Sequence, residues 1–345
     1  MVRHERPHRD GIDFRANLRP RHRRDGALGA LAISILLLFP ATFAVAERVW
    51  VTNERSASVT VIDPKKAAVV ATIDVGGRAR GIQPSPDGRT LYVAVSAREG
   101  VGQNAIVCID AESGRVARRL PSGSDPEQLA VSPDGRTLWI SNEDSSRASA
   151  IDVASGRVVA TLPVGEEPEG VAASPDGRWV AVTSESTSTI SILDARRRRP
   201  VRRLFADARP RSVQFSRDSR ILYATAEIGG SLSAWDTRSW KALWRLTLPG
   251  PVKAVGLAVS ADGGRVFVTT SHANGIDVVD TRTRAVAAQI PVGRRPWGIV
   301  LSGDGRTLYT ANGVSGDVSI VDVAAGRVVA TVRTGDGPWG VAVAR

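Results

Sequence analysis

From Arg48 onward, runs of five or six residues alternate apolar and polar positions, are rich in Val, Ile, Thr and aromatic side chains, and are separated by turn-forming clusters. Such period-two runs predict short, half-buried β-strands. One aspartate closes a run of this kind seven times, at Asp63, Asp110, Asp152, Asp194, Asp236, Asp280 and Asp322, with spacings of 47, 42, 42, 42, 44 and 42. A self-similar period of that length means a repeat architecture, in which each unit buries its faces only against its neighbours. Each unit predicts four strands, A to D. In the fourth repeat these are 170–174, Trp179 to Ser184, 189–193 and the segment after Asp194. The A–B turn is Ser-Pro-Asp-Gly at 85–88, 132–135 and 174–177, with variants at 216–219, 260–263 and 302–305. Proline presets φ there, aspartate accepts from the backbone, and glycine takes φ > 0.

The two ends of the repeat region supply one unit between them. The region opens at a strand B (Arg48 to Asn53), and its last segment, 340–344, is a strand A with no turn after it. Pairing them closes a ring and leaves no inner sheet edge open. The expected fold is all-β: one domain over 47–345, a seven-bladed β-propeller of four-stranded antiparallel blades, closed by N-terminal strands B–D plus C-terminal strand A.

Several segments resemble a known family. VWVTN at 49–53, LYVAVS at 91–96, LWISNE at 138–143 and LYTANG at 308–313 are similar to the YVTN-type β-propeller repeats of bacterial surface and periplasmic proteins. The ordered loops RARGI, DPEQL, EPEGV, RPRSV, KAVGL, RPWGI and GPWGV further resemble the propeller proteins associated with PQQ-dependent alcohol catabolism. That resemblance implies an accessory role beside PQQ chemistry, with a dehydrogenase, a cytochrome or a transporter component as partner. The insertion after Ser96 and Ala254, where the pattern has proline, depart from it.

Residues 1–46 carry eight arginines and four acids, then the apolar run Ala27 to Phe39, Pro40, and Ala44-Val45-Ala46. A basic start, a 13-residue apolar stretch and an A-x-A site predict a cleaved signal peptide. The stretch is too short for the roughly 20 apolar residues of a membrane-spanning helix. The expected location is periplasmic or secreted, with Sec export favoured over the twin-arginine route because Asp25-Gly26 follows Arg23-Arg24.

Composition narrows the chemistry. Of 46 basic and 35 acidic residues, eight and four lie in the leader, so the formal charge falls from +11 to +7 beyond it. Cys108 is the only cysteine, which excludes an internal disulfide, a CxxC pair and a thiolate zinc site. Three of the four histidines are His4, His8 and His22, so the predicted domain holds His272 alone and no multi-histidine metal site.

In a propeller the D–A and B–C loops share one face around the channel mouth, and loops on a rigid scaffold carry recognition. The residue just before each predicted strand A gives a ring of candidates: Arg80, Glu127, Glu169, Arg211, Val255, Trp297 and Trp339. The charged four read either as inter-blade ion pairs, Arg80 with Glu127 and Glu169 with Arg211, or as ligand contacts. Trp297 and Trp339 beside Arg80 suit a small planar anion or an anchor residue of a partner protein. The residues ending strand B form a second ring, Glu54, Ser96, Glu143, Glu185, Glu227, His272 and Gly313, in which Glu143, Glu185, Glu227 and His272 are candidate ligands for Ca²⁺. The resulting expectation is a monomeric, non-enzymatic binding or scaffold protein. Two alternatives stand beside it: a single-stranded nucleic-acid binder, and a metal-dependent, lactonase-like hydrolase built on Glu227 and His272.

Overall fold

The computed structural model describes Glu47 to Ala97 and Gln103 to Ala344. The predicted leader and most of the insertion after Ser96 fall outside these residues. The described residues form 28 strands in seven four-stranded antiparallel sheets. Blade 4 shows the plan: Pro168–Ala173 innermost, then Trp179–Ser184, Thr189–Asp194 and Arg199–Phe205 at the rim. Blade 1 is the composite that the repeat register predicted. Pro338–Ala344 lies innermost and pairs with Arg48–Asn53, placing Val49 opposite Val343 and Trp50 opposite Ala342.

The turns work as their residues dictate. In blade 4 the Ser174 hydroxyl donates to Asp176 at 2.6 Å, Asp176 accepts the Arg178 N–H at 3.0 Å, and Ser174 accepts the Trp179 N–H at 2.9 Å, while Gly177 takes φ +70°. The repeated aspartates cap the C–D hairpins: Asp152 accepts both the N–H and the hydroxyl of Ser155, at 2.8 and 2.6 Å. Between blades, Trp50, Trp139, Tyr223 and Phe267 sit at one strand B position and are almost wholly buried. Wedges of this size each stabilise the interface by about 1.5–3 kcal/mol. Cys108 is buried in the same way, against Tyr92 and Ile106. Trp235 and Trp240 belong to a core cluster with Trp179, and Trp244 leans on Tyr223 at 5.9 Å.

One irregularity repeats in all seven blades and positions the mouth. The inner strand begins about two residues earlier than the sequence pattern predicts, and a bulge then interrupts its pairing with strand B: between Ala79 and Ile82, Pro126 and Leu129, Pro168 and Val171, Pro210 and Val213, Ala254 and Leu257, and Pro296 and Ile299. Blade 1 has its shift at the same place, opposite Val51 to Asn53. A bulge re-aims side chains, and the two residues inside each one are a mouth candidate and the small residue that follows it.

Hydroxyl groups lock these bulges to their neighbours. Thr183 of blade 4 accepts the Gly170 N–H at 2.7 Å and donates to the Arg211 carbonyl of blade 5 at 2.9 Å. Thr52, Ser141, Thr225 and Thr269 reach the next blade's carbonyl in the same way, at Arg80, Glu169, Val255 and Trp297. Gly170 must be small because a Cβ there would lie 2.3 Å from the Arg211 carbonyl oxygen.

Candidate functional site: the channel mouth

The mouth residues lie within the inner strands rather than before them, each as the first residue of its bulge. The structure brings six of the seven candidates, Arg80, Glu127, Glu169, Arg211, Trp297 and Trp339, to the rim of the central channel. Two arginines organise the charges. Arg80 pairs with Glu127, lies 3.1 Å from Glu54 and 4.0 Å from Glu143, and is assisted by Arg78, which reaches Glu54 at 3.3 Å and Glu127 at 3.4 Å. Across the ring, Arg211 pairs with Glu185 and with Glu169 at 3.1 Å, and its Nε is 3.8 Å from Glu227. Arg209 joins Glu185 and Glu227 at 2.5 and 3.3 Å, and Lys253 meets Glu227 at 3.2 Å. Glu127 is wholly buried, and Glu169, Glu185, Glu227 and Arg211 are nearly so. The expected Arg80–Glu127 and Glu169–Arg211 pairs therefore exist inside larger networks. Buried charges of this kind require partners, because an unpaired ion away from water costs several kcal/mol.

The aromatic half joins the two networks. Trp297 and Trp339 stack with centroids 6.3 Å apart and planes 19° from parallel. Arg80 lies over Trp339 at 5.8 Å, while Arg211 and Arg295 both lie 5.0 Å from the Trp297 centroid. Arg211 belongs to blade 5 and Trp297 to blade 7, so this guanidinium spans the blade between them. The sequence Arg80, Trp339, Trp297, Arg211 is a continuous cation-aromatic ladder. Trp339 is buried in it and Trp297 is partly exposed. Below the mouth, apolar inner-strand residues such as Val171, Val213, Leu257 and Ile299, together with the polar Gln128 and Gln214, line a cavity of about 660 Å³.

The proposed Ca²⁺ ligands do not meet as one set. Glu185 and Glu227 are engaged by guanidinium and ammonium groups. The blade 6 register gives the strand-ending position to Ser271, whose N–H bonds the Lys253 carbonyl at 2.8 Å as Glu185 N–H bonds Glu167 at 2.9 Å, so His272 stands one residue further on and is exposed. Glu143 instead gathers with Asp125 and Glu127, their carboxylate oxygens within 4.8 Å of one another. Burial, and next the charge of Glu169, push Glu143 above the usual carboxylate range.

Sequence reasoning missed the layer just outside the mouth: Arg78, Asp125, Glu167, Arg209, Lys253 and Arg295, each two positions before a mouth residue. The signal was present, since side chains two apart on a strand share a face. It makes the face strongly directional. Blades 3 and 4 present acids, blades 2 and 5 flank them with arginines, and blades 7 and 1 present tryptophan.

The repeated four-stranded blades find their counterpart among known proteins. A profile of the YNCE-like beta-propeller family matches residues 36–303. The chain belongs to that family. None of the curated proteins matches it. Among solved structures, this YNCE-like propeller is similar to Kuenenia stuttgartiensis hydrazine synthase, with 23% identity and a TM-score of 0.69 over 76% of this chain and 88% of that one. It is also similar to a functionally unknown protein from Desulfotomaculum acetoxidans, with 14% identity, a TM-score of 0.75, and 86% and 99% of the two chains covered. A Bacteroides uniformis protein provisionally named 6-phosphogluconolactonase gives 17% identity, a TM-score of 0.73, and 86% and 99% coverage. At these identities the likeness is one of fold, and a propeller hosts many functions.

Proposed function

We propose that this YNCE-like propeller is a non-enzymatic binding or scaffold protein, exported to the periplasm, that docks a partner protein on its channel mouth as an accessory to PQQ-dependent alcohol catabolism. The observation carrying this reading is the ladder of Arg80, Trp339, Trp297 and Arg211, held by buried carboxylates and offering the partly exposed Trp297 beside the channel cavity. Aromatic and arginine anchors with their conformational entropy already spent are the usual centres of protein interfaces. The acid and arginine sectors around them would fix a partner's orientation.

The same geometry favours a protein over a small planar anion. The stacked indoles, 6.3 Å apart, leave no slot for a second planar ring, and Arg80 and Arg211 are already committed to carboxylates. In this reading the connection of the protein to PQQ runs through the partner. Glu227 is held by Lys253 and Arg209, and His272 stands outside the ring, which weighs against a hydrolase built on them.

The test is co-purification from periplasm. Trp339→Ala combined with Arg80→Ala is expected to abolish recovery of a partner that the parent retains. Equal recovery by both would remove the mouth as the docking surface.

A further inference from the structure

The rim of blade 4 carries a feature that the mouth does not use. Its C–D turn and outer strand read Arg196-Arg197-Arg198-Arg199-Pro200-Val201-Arg202-Arg203-Leu204-Phe205, with six arginines and no acid. All six are exposed. Formal charge beyond residue 46 is +7 by the count above, so this one ridge accounts for nearly all of it. Among the described residues Arg197 alone of the six makes an ion pair, with Asp194 at 3.1 Å. Two apolar side chains share the strand: Val201 is 42% exposed and Phe205, at 83%, is the most exposed large apolar residue described.

Charge on an outer strand also serves to block edge-to-edge pairing. That need does not explain six arginines, because the outer strands of blades 3 and 6, Val158–Pro163 and Ala285–Pro291, carry no charge at all. The ridge lies on the outermost strand of its blade, paired on one side only, with Thr189–Asp194. Clustered arginines with a projecting phenylalanine are complementary to a flat anionic surface into which an aromatic ring can dip.

We propose that the outer strand of blade 4 docks the propeller on anionic phospholipid bilayers, the arginines on lipid phosphates and Phe205 at the acyl boundary. Each arginine near such a surface contributes about 1 kcal/mol, so replacing four of them is expected to cut vesicle partitioning roughly 1000-fold. None of these residues is a mouth residue, so this inference and the proposed function are tested independently.

The test uses the full chain labelled at single sites with an environment-sensitive fluorophore, Cys108 being buried. Phe205→Cys reports on the ridge and Val329→Cys on the rim of blade 7. Vesicles of phosphatidylcholine with phosphatidylglycerol should brighten the label at 205 several-fold and leave that at 329 unchanged. Pure phosphatidylcholine should do neither. Adding Arg198→Gln, Arg199→Gln, Arg202→Gln and Arg203→Gln should abolish the response, with circular dichroism confirming the fold. No response at 205, an equal response at both sites, or a response to single-stranded DNA in place of vesicles would overturn the proposal.

Discussion

Gly170→Ala probes the device that builds the mouth. The new Cβ would meet the Arg211 carbonyl oxygen at 2.3 Å, Thr183 Oγ1 at 3.0 Å and Ser212 Cα at 3.2 Å. The first of these is backbone, itself fixed by the Thr183 hydroxyl, so about 1 Å of movement must come from two inner strands together. Overpacking of this kind costs about 1–3 kcal/mol, and the rigid obstacle puts the expected loss near 3 kcal/mol. Blades 3 and 5 carry Gln128 and Ser212 at this position, so the cost follows from the close approach of the Arg211 carbonyl and not from the repeat itself. Gly303→Ala is the control: nothing lies within 4 Å of its Cβ, and a change within about 0.5 kcal/mol is expected. Urea unfolding of the two variants measures the difference. Because Arg211 lies over Trp297, Gly170→Ala should also alter tryptophan emission in the folded state. A Gly170 variant as stable as the Gly303 variant would refute the interlock.

Other outcomes follow from the same coordinates. Arg211→Ala leaves Glu169, Glu185 and Glu227 buried around an empty position, and a loss of about 3–5 kcal/mol in urea unfolding is expected. Thr183→Val strips partners from the Gly170 N–H and the Arg211 carbonyl, for a loss of about 1–3 kcal/mol by the same measurement. Asp277 is buried with one carboxylate oxygen unpartnered, the other accepting from Gln289 at 2.8 Å, and burial holds its pKa above the ordinary value. The unfolded chain therefore releases this proton first, and stability falls as pH rises from about 4. Asp277→Asn should be more stable than the parent at pH 7, with the advantage shrinking toward pH 4 in a series of melting curves. If Asp125, Glu127 and Glu143 hold Ca²⁺, millimolar Ca²⁺ raises the parent's Tm and Glu143→Gln cancels the rise; an unmoved parent Tm contradicts cation binding there.

The fold was legible because its determinants are local. The seven hairpin aspartates, the Ser-Pro-Asp-Gly turns and the split blade can be read from spacing alone, and the strand from Arg48 to Asn53 falls where predicted. The inner strands began two residues early because a bulge hides in a pattern that reads as loop, the Glu169-Gly170 pair being extended yet out of register. One residue of drift in blade 6 was enough to put His272 in a ring that Ser271 occupies. The mouth was legible as a set of residues but not as a circuit. Arg211 meets carboxylates from blades 4 and 5 and an indole from blade 7, contacts whose partners lie far apart in sequence and are selected by reach across the channel. The arginine run of blade 4 is visible in the sequence, whereas the exposure of Phe205 on the same strand is a property of the fold alone.

The central claim is that the tryptophan side of the mouth meets another protein. A photo-cross-linking residue installed at Trp297, with Val329 on the rim as the comparison site, tests it in the periplasm of cells growing on an alcohol. The account predicts one discrete protein adduct from position 297, absent at 329 and lost on adding Arg80→Ala. No adduct from 297, or the same adducts from both positions, would contradict it.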